Sequence, residues 1–201
     1  MVVLEFFYDF VSPYSYLAST RVEAEVRKAG GQVRFRPFLL GGVLKATGNR
    51  APLETPAKLR HMWVDLTRWA KRLSVPLVQP ACFPVASILA LRAALAAEKQ
   101  GKLVPFTHAV YRAHWGEGKD VSDPELLVRI AGSVGLDGPA LLAAAPDFKA
   151  ALTQQTQEAV ERGAYGAPTF FVRTADGDEM FVGNDRLDFA IEALGRAVGR
   201  P

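Results

Sequence analysis

The hydrophobic pattern predicts a strand at the start of the chain and a helix directly after it. Residues 2–8 (VVLEFFY) are almost continuously apolar and rich in β-prone side chains, which is typical of a buried strand. Ser12 is a favourable N-cap, Pro13 fits the first helical turn, and apolar side chains recur from Leu17 to Val26 at helical spacing. The pattern therefore predicts strand, short turn and helix, with Ser12 at the junction.

A second strand and a long loop are predicted next. The Gly-Gly pair at 30–31 ends the helix, and the alternating polar and apolar positions of residues 32–38 indicate a half-buried strand. Residues 41–56 are rich in Gly, Pro, Asn and Thr, so they are predicted to form a loop that leads away from the sheet. The chain thus begins as a β-α-β unit.

In such a unit with a right-handed crossover, the strand ends and the loops after them meet at one edge of the sheet. Asn49, Arg50 and Lys58 could therefore approach Ser12.

The middle of the chain contains helical patterns and no strand-like stretch. Amphipathic or Ala/Leu-rich segments separated by Pro or Gly are predicted to form helices at 55–73, 85–100, 103–114, 123–134, 139–144 and 146–162. The chain then returns to strands at 168–172 and 179–182, joined by a hairpin-type Asp176-Gly177 turn, and ends in a helix at 186–198. The predicted order is β-α-β, helices, then α-β-β-α.

The start of the first helix is the strongest candidate for chemistry. Helix starts expose unpaired N–H groups and the positive end of the helix dipole, so an anion beside Ser12 would be stabilised. In thioredoxin-like proteins these four positions hold Cys-x-x-Cys, whereas here they are Ser12-Pro13-Tyr14-Ser15. No disulfide can form, but the Ser12 hydroxyl could donate a hydrogen bond to the thiolate of a small molecule. The alternative is that Ser12 only caps the helix.

Composition narrows the class of protein. The 201 residues are 49% hydrophobic and 22% charged, which is typical of a globular enzyme and argues against long disorder. The net charge of +3, without a Lys/Arg block, suits a small anionic substrate better than nucleic acid. No apolar run approaches membrane-spanning length and no secretory signal is seen, so we predict a cytoplasmic protein without membrane contact. The three histidines have no metal-ligand spacing, and no metal is predicted.

Two further motifs lie in the last quarter of the chain. Gly166-Ala167-Pro168-Thr169 stands directly before the third predicted strand, and residues 183–187 (GNDRL) join the last strand to the last helix. The element order resembles the thioredoxin fold with the helical insert of the DsbA group. This resemblance implies an α/β, thioredoxin-like domain at 1–54 and 146–201, interrupted by an all-helical insertion at 55–145.

Four motifs in the right order make the resemblance specific. They are FYDFVSPYSY at 7–16, TGN at 47–49, GAP at 166–168 and GNDRL at 183–187. Together they resemble the 2-hydroxychromene-2-carboxylate isomerases and their relatives, the kappa-class glutathione transferases, over nearly the whole chain. The resemblance implies glutathione as cofactor, a small anionic aromatic substrate and a homodimer.

The resemblance also implies roles for individual residues. Ser12 would contact the glutathione sulfur, Ala167 would pair its main chain with the cysteinyl part, and Pro168 would be a cis-proline that faces Ser12. Asn184 and Asp185 would receive the γ-glutamyl end.

Asn49 and Lys58 would hold the glycyl end or the substrate. Simpler interpretations remain open, since Asn184 or Asp185 could cap the last helix and Lys58 could be a solvated charge.

Three functions remain at this stage. The first is a glutathione-dependent isomerase that acts by reversible thiol addition, bond rotation and elimination. The second is a kappa-type transferase, and the third is a binding module without catalysis. The substrate pocket is expected around Trp63, Phe83 and Trp115.

Overall fold

Strands occupy the two ends of the chain and helices fill the middle, over residues 2–175 and 177–199, which the computed structural model describes. The strands are β1 (Val3–Tyr8), β2 (Gln32–Pro37), β3 (Thr169–Thr174) and β4 (Gly177–Val182). The α-helices of these residues are α1 (Pro13–Ser19), α2 (Val22–Lys28), α3 (Leu40–Thr47), α4 (Pro56–Leu73), α5 (Ile88–Glu98), α6 (Leu103–Tyr111), α7 (Pro124–Ser133), α8 (Gly138–Ala144), α9 (Lys149–Glu161) and α10 (Leu187–Val198).

The strands form one mixed sheet in the order β2-β1-β3-β4. β1 pairs in parallel with β2, as a β-α-β unit requires, and antiparallel with β3, while β3 and β4 form a hairpin. Thr174 lies opposite Gly177 at the hairpin end; Asp176 of the predicted turn lies outside the described residues. The predicted α/β fold class is confirmed.

Side chains on the two faces of the central strand enter two separate cores, because successive residues of a strand point to opposite faces. Leu4, Phe6 and Tyr8 are fully buried in the larger core, which also contains residues of the helical middle of the chain. Phe7 is fully buried on the other face, where it packs with Phe38 beneath α3 and α9. The boundaries at 55 and 145 between a sheet domain and an insertion stay a prediction.

The first helix is shorter than predicted, because it ends at Ser19 and α2 begins at Val22. The hydroxyls of Ser19 and Thr20 donate to backbone carbonyls of the preceding turn, at 2.7 Å in both cases. Such side-chain bonds compete with the helical ladder. The apolar spacing that predicted one helix is kept across this break.

The prediction of a loop for residues 41–56 is wrong for the first half of this segment, which forms the two-turn helix α3. Its two glycines disfavour a helix, but Val43 is fully buried in the smaller core and Leu39 packs against the larger one. The N–H of Leu40 in the first turn donates to a carboxylate oxygen of Asp9 at 2.8 Å. Tertiary contacts therefore stabilise a helix that the local sequence does not favour. It ends at Gly48, where φ is +69°.

Helices α4 to α9 follow the predicted sequence of segments. α6 continues into a single π-helical turn at Arg112–Gly116, which turns Trp115 into the core. Among the described residues, no helix combines the length and the apolar character that a membrane span requires.

Candidate active site

Ser12 lies at the junction of β1 and α1, as predicted. It is the N-cap of α1, and its Oγ accepts a hydrogen bond from the N–H of Ser15 at 3.1 Å. The same hydroxyl donates to the main-chain carbonyl of Ala167 at 3.0 Å, across 155 positions of sequence. Only 4% of Ser12 is exposed. The cap interpretation of Ser12 is therefore correct, but capping is not its only contact.

The loop before β3 faces Ser12. The peptide bond between Ala167 and Pro168 is cis, which confirms the predicted conformation. Thr169 donates its hydroxyl to the carbonyl of Gly166 at 2.8 Å, and the carbonyl of Pro168 accepts the N–H of Gly183 at 2.9 Å. These bonds link the proline loop directly to the segment that contains Asn184.

A cavity of about 600 Å³ opens beside Ser12. Apolar side chains from the start of α3, the loop before α5 and the loop before β3 form most of its wall. The polar or charged members of the wall are Asp9, Ser12, Asn49, Arg50 and Ser87 together with two tyrosines, Tyr14 and Tyr165. Such a cavity can hold a ligand with an apolar body and a small number of polar groups.

Asn49 and Arg50 lie in this wall, as the β-α-β geometry predicted. The side-chain NH₂ of Asn49 donates to the carbonyl of Tyr165 at 2.8 Å, and its Oδ1 accepts the backbone N–H of Arg50 at 2.8 Å. Among the described residues that line the cavity, Arg50 is the one cationic side chain, and its guanidinium has no hydrogen bond or ion pair within the described chain.

Lys58 does not line the cavity, although the sequence indicated that it could approach Ser12 together with Asn49 and Arg50. It lies in the first turn of α4 with its side chain exposed. Its contact with a ligand stays a prediction.

Asn184 is buried without a hydrogen bond for its side chain. Its residue is 1% exposed, and neither Oδ1 nor Nδ2 has a partner among the described residues. Its main-chain carbonyl accepts a hydrogen bond from the guanidinium of Arg21 at 2.8 Å. Buried amides are almost always hydrogen-bonded, so an unpaired one calls for an explanation such as a ligand.

Asp185 is half exposed beside Asn184 and forms an ion pair with Arg186 at 3.0 Å. The pKa of Tyr14 is raised mainly by burial and next by Asp65, to which the Tyr14 hydroxyl donates at 3.0 Å. The charge of Asp185 makes a smaller contribution in the same direction. The structure brings Ser12, Ala167 and Asn49 into one cavity wall. Asn184 and Asp185 do not line the cavity; they follow Gly183, whose N–H donates to the carbonyl of Pro168.

Asp9 belongs to the site but was not selected from the sequence. Its carboxylate is fully buried in the cavity wall, where Oδ1 accepts the N–H of Val11 at 3.1 Å and Oδ2 that of Leu40 at 2.8 Å. Burial raises its pKa above the usual value for aspartate, while the nearby Ser87 hydroxyl and these backbone bonds oppose the rise. An acidic residue inside an otherwise aromatic run, directly before a turn, was the available signal.

The predicted pocket residues divide into two groups. Phe83 lines the cavity, as expected. Trp63 and Trp115 do not, because Trp115 is fully buried and donates its indole N–H to the carbonyl of Phe10 at 2.8 Å, with Trp63 packed on it. The two tryptophans support the wall from behind. Within the described part of the chain, no group of three or more His, Cys, Asp and Glu side chains is arranged to hold a metal ion.

A sheet of this order, with a cis-proline loop against the start of the first helix and helices inserted between its halves, defines a thioredoxin-like protein of the DsbA type. A family model for the DSBA-like thioredoxin domain matches residues 3–195. A 2-hydroxychromene-2-carboxylate isomerase of Sphingobium xenophagum is 37% identical over 190 residues, which cover 92% of this chain and 94% of that protein. The chain therefore belongs to the DsbA-like thioredoxin family and, within it, to the 2-hydroxychromene-2-carboxylate isomerase family.

Two other relatives support the same assignment. A solved structure of a 2-hydroxychromene-2-carboxylate isomerase superposes with a TM-score of 0.84 at 32% identity, covering 96% of this chain and 95% of that one. Glutathione S-transferase kappa 1 of Caenorhabditis elegans is 30% identical over 203 residues, which cover 95% of this chain and 90% of that protein. The family relationship inferred from the four motifs is confirmed.

Proposed function

We propose that the protein is a glutathione-dependent isomerase of 2-hydroxychromene-2-carboxylate or a similar intermediate of aromatic degradation. The observation that carries the proposal is the position of the Ser12 hydroxyl, 3.0 Å from the Ala167 carbonyl at the edge of a large apolar cavity. A serine here leaves the position of the redox cysteine without a thiol, so the sulfur must come from a bound molecule. The isomerase relatives support the reaction type.

The residues around Ser12 fit glutathione. The unpaired amide of buried Asn184 offers both a donor and an acceptor, and the carboxylate of Asp185 beside it suits a γ-glutamyl ammonium group. The main chain of Ala167, next to cis-Pro168, suits the peptide part of the cofactor. The hydrogen bond from the N–H of Gly183 to the carbonyl of Pro168 keeps these two subsites in a fixed relation.

When bound, glutathione would supply a thiolate for reversible addition to an electrophilic carbon of the substrate, with bond rotation between addition and elimination. Ser12 stabilises the charge on the sulfur by donating its hydroxyl hydrogen, for which the hydroxyl must turn away from Ala167. The apolar wall excludes water and leaves space for an aromatic ring beside Ser12. Glutathione is not consumed in this reaction.

Arg50 is the side chain that we propose for the substrate carboxylate. It is the cation of the described cavity wall and has no internal partner, whereas Lys58 lies outside the wall. Asn49 fixes the backbone of Arg50 through the bond from its N–H. In this proposal Asn49 shapes the site, and contacts of Asn49 and Lys58 with the glycyl end of glutathione stay predictions.

Replacing Arg50 by methionine is expected to raise KM for a carboxylated substrate by about two- to fivefold, the loss typical of a solvent-exposed charge pair. KM for an uncharged chlorinated nitroaromatic should stay unchanged, and Arg50→Lys should retain most of the affinity. Lys58→Met is the matched control and should change neither value. An equal loss of affinity for both electrophiles would contradict the role, and a loss confined to glutathione would assign Arg50 to the glycyl carboxylate.

Replacing Asn184 by leucine should separate stability from cofactor binding. The free energy of unfolding is expected to stay constant or to rise by up to about 1 kcal/mol, because the buried amide loses no internal hydrogen bond. Glutathione affinity, measured by calorimetry, should fall by about tenfold or more, since hydrogen bonds to charged groups are lost. Glu192→Ala on exposed α10 surface is the control. Unchanged affinity would remove Asn184 from the cofactor site.

The alternative function is a kappa-type transferase, which the kappa relatives favour. The balance of glutathione distinguishes the two. Turnover of 2-hydroxychromene-2-carboxylate with full recovery of glutathione would support the isomerase, and stoichiometric loss with a halogenated or peroxide electrophile would support the transferase. A protein that shows no glutathione site at millimolar concentration would be a binding module, as the third hypothesis states. A cytoplasmic homodimer stays part of this proposal.

A further inference from the structure

Asp9 connects two parts of the cavity wall through one buried carboxyl group and lies near a third. Its two oxygens accept the N–H of Val11 in the turn before Ser12 and the N–H of Leu40 in the first turn of α3. Ser87, the residue directly before α5, is buried in the same wall, and its hydroxyl favours the ionised form of this carboxyl group. α3 has no side-chain cap from its own N-cap residue, so the distant Asp9 supplies that acceptor.

The neighbours of Asp9 suit an ionised carboxylate. Two backbone N–H groups donate to it, and none of the interactions that shift its pKa comes from a cation. Burial raises the pKa above the usual value for aspartate, so its effect on stability is favourable at low pH and is lost as the pH rises through that raised pKa. Ionisation of Asp9 therefore costs stability. A costly charge in a cavity wall is typical of a functional group.

Other titratable groups surround Asp9. The titratable groups that pack on it or share the cavity wall are Tyr8, Tyr111, Tyr14, Tyr165 and Arg50. Among the described residues of the wall, Asp9 is the one carboxylic acid, whereas Asp65 and Asp185, which interact with Tyr14, lie outside it.

We propose that the ionised carboxylate of Asp9 is a positioning group that holds the turn bearing Ser12, the start of α3 and Ser87 in the arrangement that binds and converts the substrate. Asp9 acts through these neighbours and does not take part in bond making. The activity test of this inference rests on the proposed glutathione-dependent function.

Asp9→Asn keeps the size of the side chain but replaces one acceptor by an NH₂ donor. Whichever way the amide turns, it faces one of the backbone N–H groups with a donor, so one of the two links is lost. kcat/KM at neutral pH is expected to fall by about tenfold to a hundredfold, the usual effect of a displaced catalytic group. The decline of activity that protonation of Asp9 causes at acid pH should also disappear from the profile.

Ser87→Ala tests the same inference with the carboxylate in place. The Ser87 hydroxyl lowers the pKa of Asp9, so its removal should move the acid decline of kcat/KM to higher pH. A merely structural role would lower activity at every pH without moving this decline. Asp123→Asn is the control, because Asp123 also accepts a backbone N–H at a helix start, at 2.9 Å from Glu125, but lies outside the cavity wall.

Hydrogen exchange without glutathione gives a second readout. Asp9→Asn should accelerate amide exchange in the first turn of α3 and leave α7 unchanged, whereas Asp123→Asn should do the reverse. Unchanged exchange in α3, or pH profiles of Asp9→Asn and Ser87→Ala that superimpose on that of the unmodified protein, would overturn the inference. If the unmodified protein shows no glutathione-dependent turnover, the proposed function fails and the exchange result alone decides the role of Asp9. If Asp9→Asn does not fold, Ser87→Ala decides it.

Discussion

Replacing Ser12 by alanine is expected to lower kcat/KM by about one to two orders of magnitude while the protein stays folded. In the proposed mechanism the hydroxyl donates to a thiolate, and a hydrogen bond to a charged group is worth about 1.5–3 kcal/mol. Loss of this donor should also raise the pKa of the bound glutathione thiol, since the donor favours its charged form. Steady-state kinetics and the absorbance of the thiolate near neutral pH measure the two effects.

The cost of this substitution in stability should be small. Alanine removes the acceptor for the N–H of Ser15 and the donor to the carbonyl of Ala167. Loss of an N-cap costs about 1 kcal/mol, which a protein of this size tolerates. Ser12→Thr retains a hydroxyl and should keep most of the activity.

The control for capping is Asp137→Ala. Asp137 caps α8 by accepting the N–H of Ala140 at 3.0 Å and does not line the cavity. The Asp137→Ala variant should lose about as much stability as Ser12→Ala and keep full activity. A folded Ser12→Ala protein with full activity and an unchanged thiolate titration would leave Ser12 as a helix cap, and the proposed mechanism would be wrong.

Replacing Trp115 by alanine is expected to produce the largest loss of stability among these variants. Its ring is fully buried, packs edge-on against Phe83 and His114, and anchors the carbonyl of Phe10 with its N–H. Truncation of a buried tryptophan costs about 3–5 kcal/mol, because it removes apolar contacts and leaves a cavity. The melting temperature should fall by roughly 6–20 °C, at about 2–4 °C per kcal/mol for a chain of this length.

Trp115→Phe and Phe189→Ala are the comparison variants for the melting temperature of Trp115→Ala. Phenylalanine keeps most of the packing but leaves the carbonyl of Phe10 without its donor, so its melting temperature should lie between those of Trp115→Ala and the unmodified protein. Phe189 is 51% exposed, and its truncation should cost less than about 1 kcal/mol. Equal losses for Trp115→Ala and Phe189→Ala would show that Trp115 is not the packing centre described here.

The order of elements could be predicted from the sequence because local periodicity decides it. The apolar run before Ser12, the helical spacing after it and the paired strands at the end of the chain all have patterns that differ between strand and helix. The cis bond at Pro168 was expected from the resemblance, because the Gly-Ala-Pro motif precedes a strand at the place where thioredoxin-like proteins have a cis-proline. The element order and this motif depend on residues close together in sequence.

Helix α3 could not be predicted, because its stability comes from distant residues. Its glycines favour a loop, and the residue that accepts its first N–H is Asp9, 31 positions earlier. The same is true of the choice between Arg50 and Lys58. Both are basic residues near one loop, and only the tertiary structure puts Arg50 in the cavity wall and leaves Lys58 outside it, exposed in the first turn of α4.

Burial decided the remaining assignments. The sequence by itself determined the order of elements, and through its resemblance to the thioredoxin fold it implied that Ser12 and Ala167 meet, as the hydrogen bond between them shows. Only the tertiary structure decided that Trp115 packs behind the cavity and that Asn184 is buried without a partner. The physical reason is that the cost of a buried polar group, or the gain from a buried ring, depends on neighbours that the fold brings from distant parts of the chain.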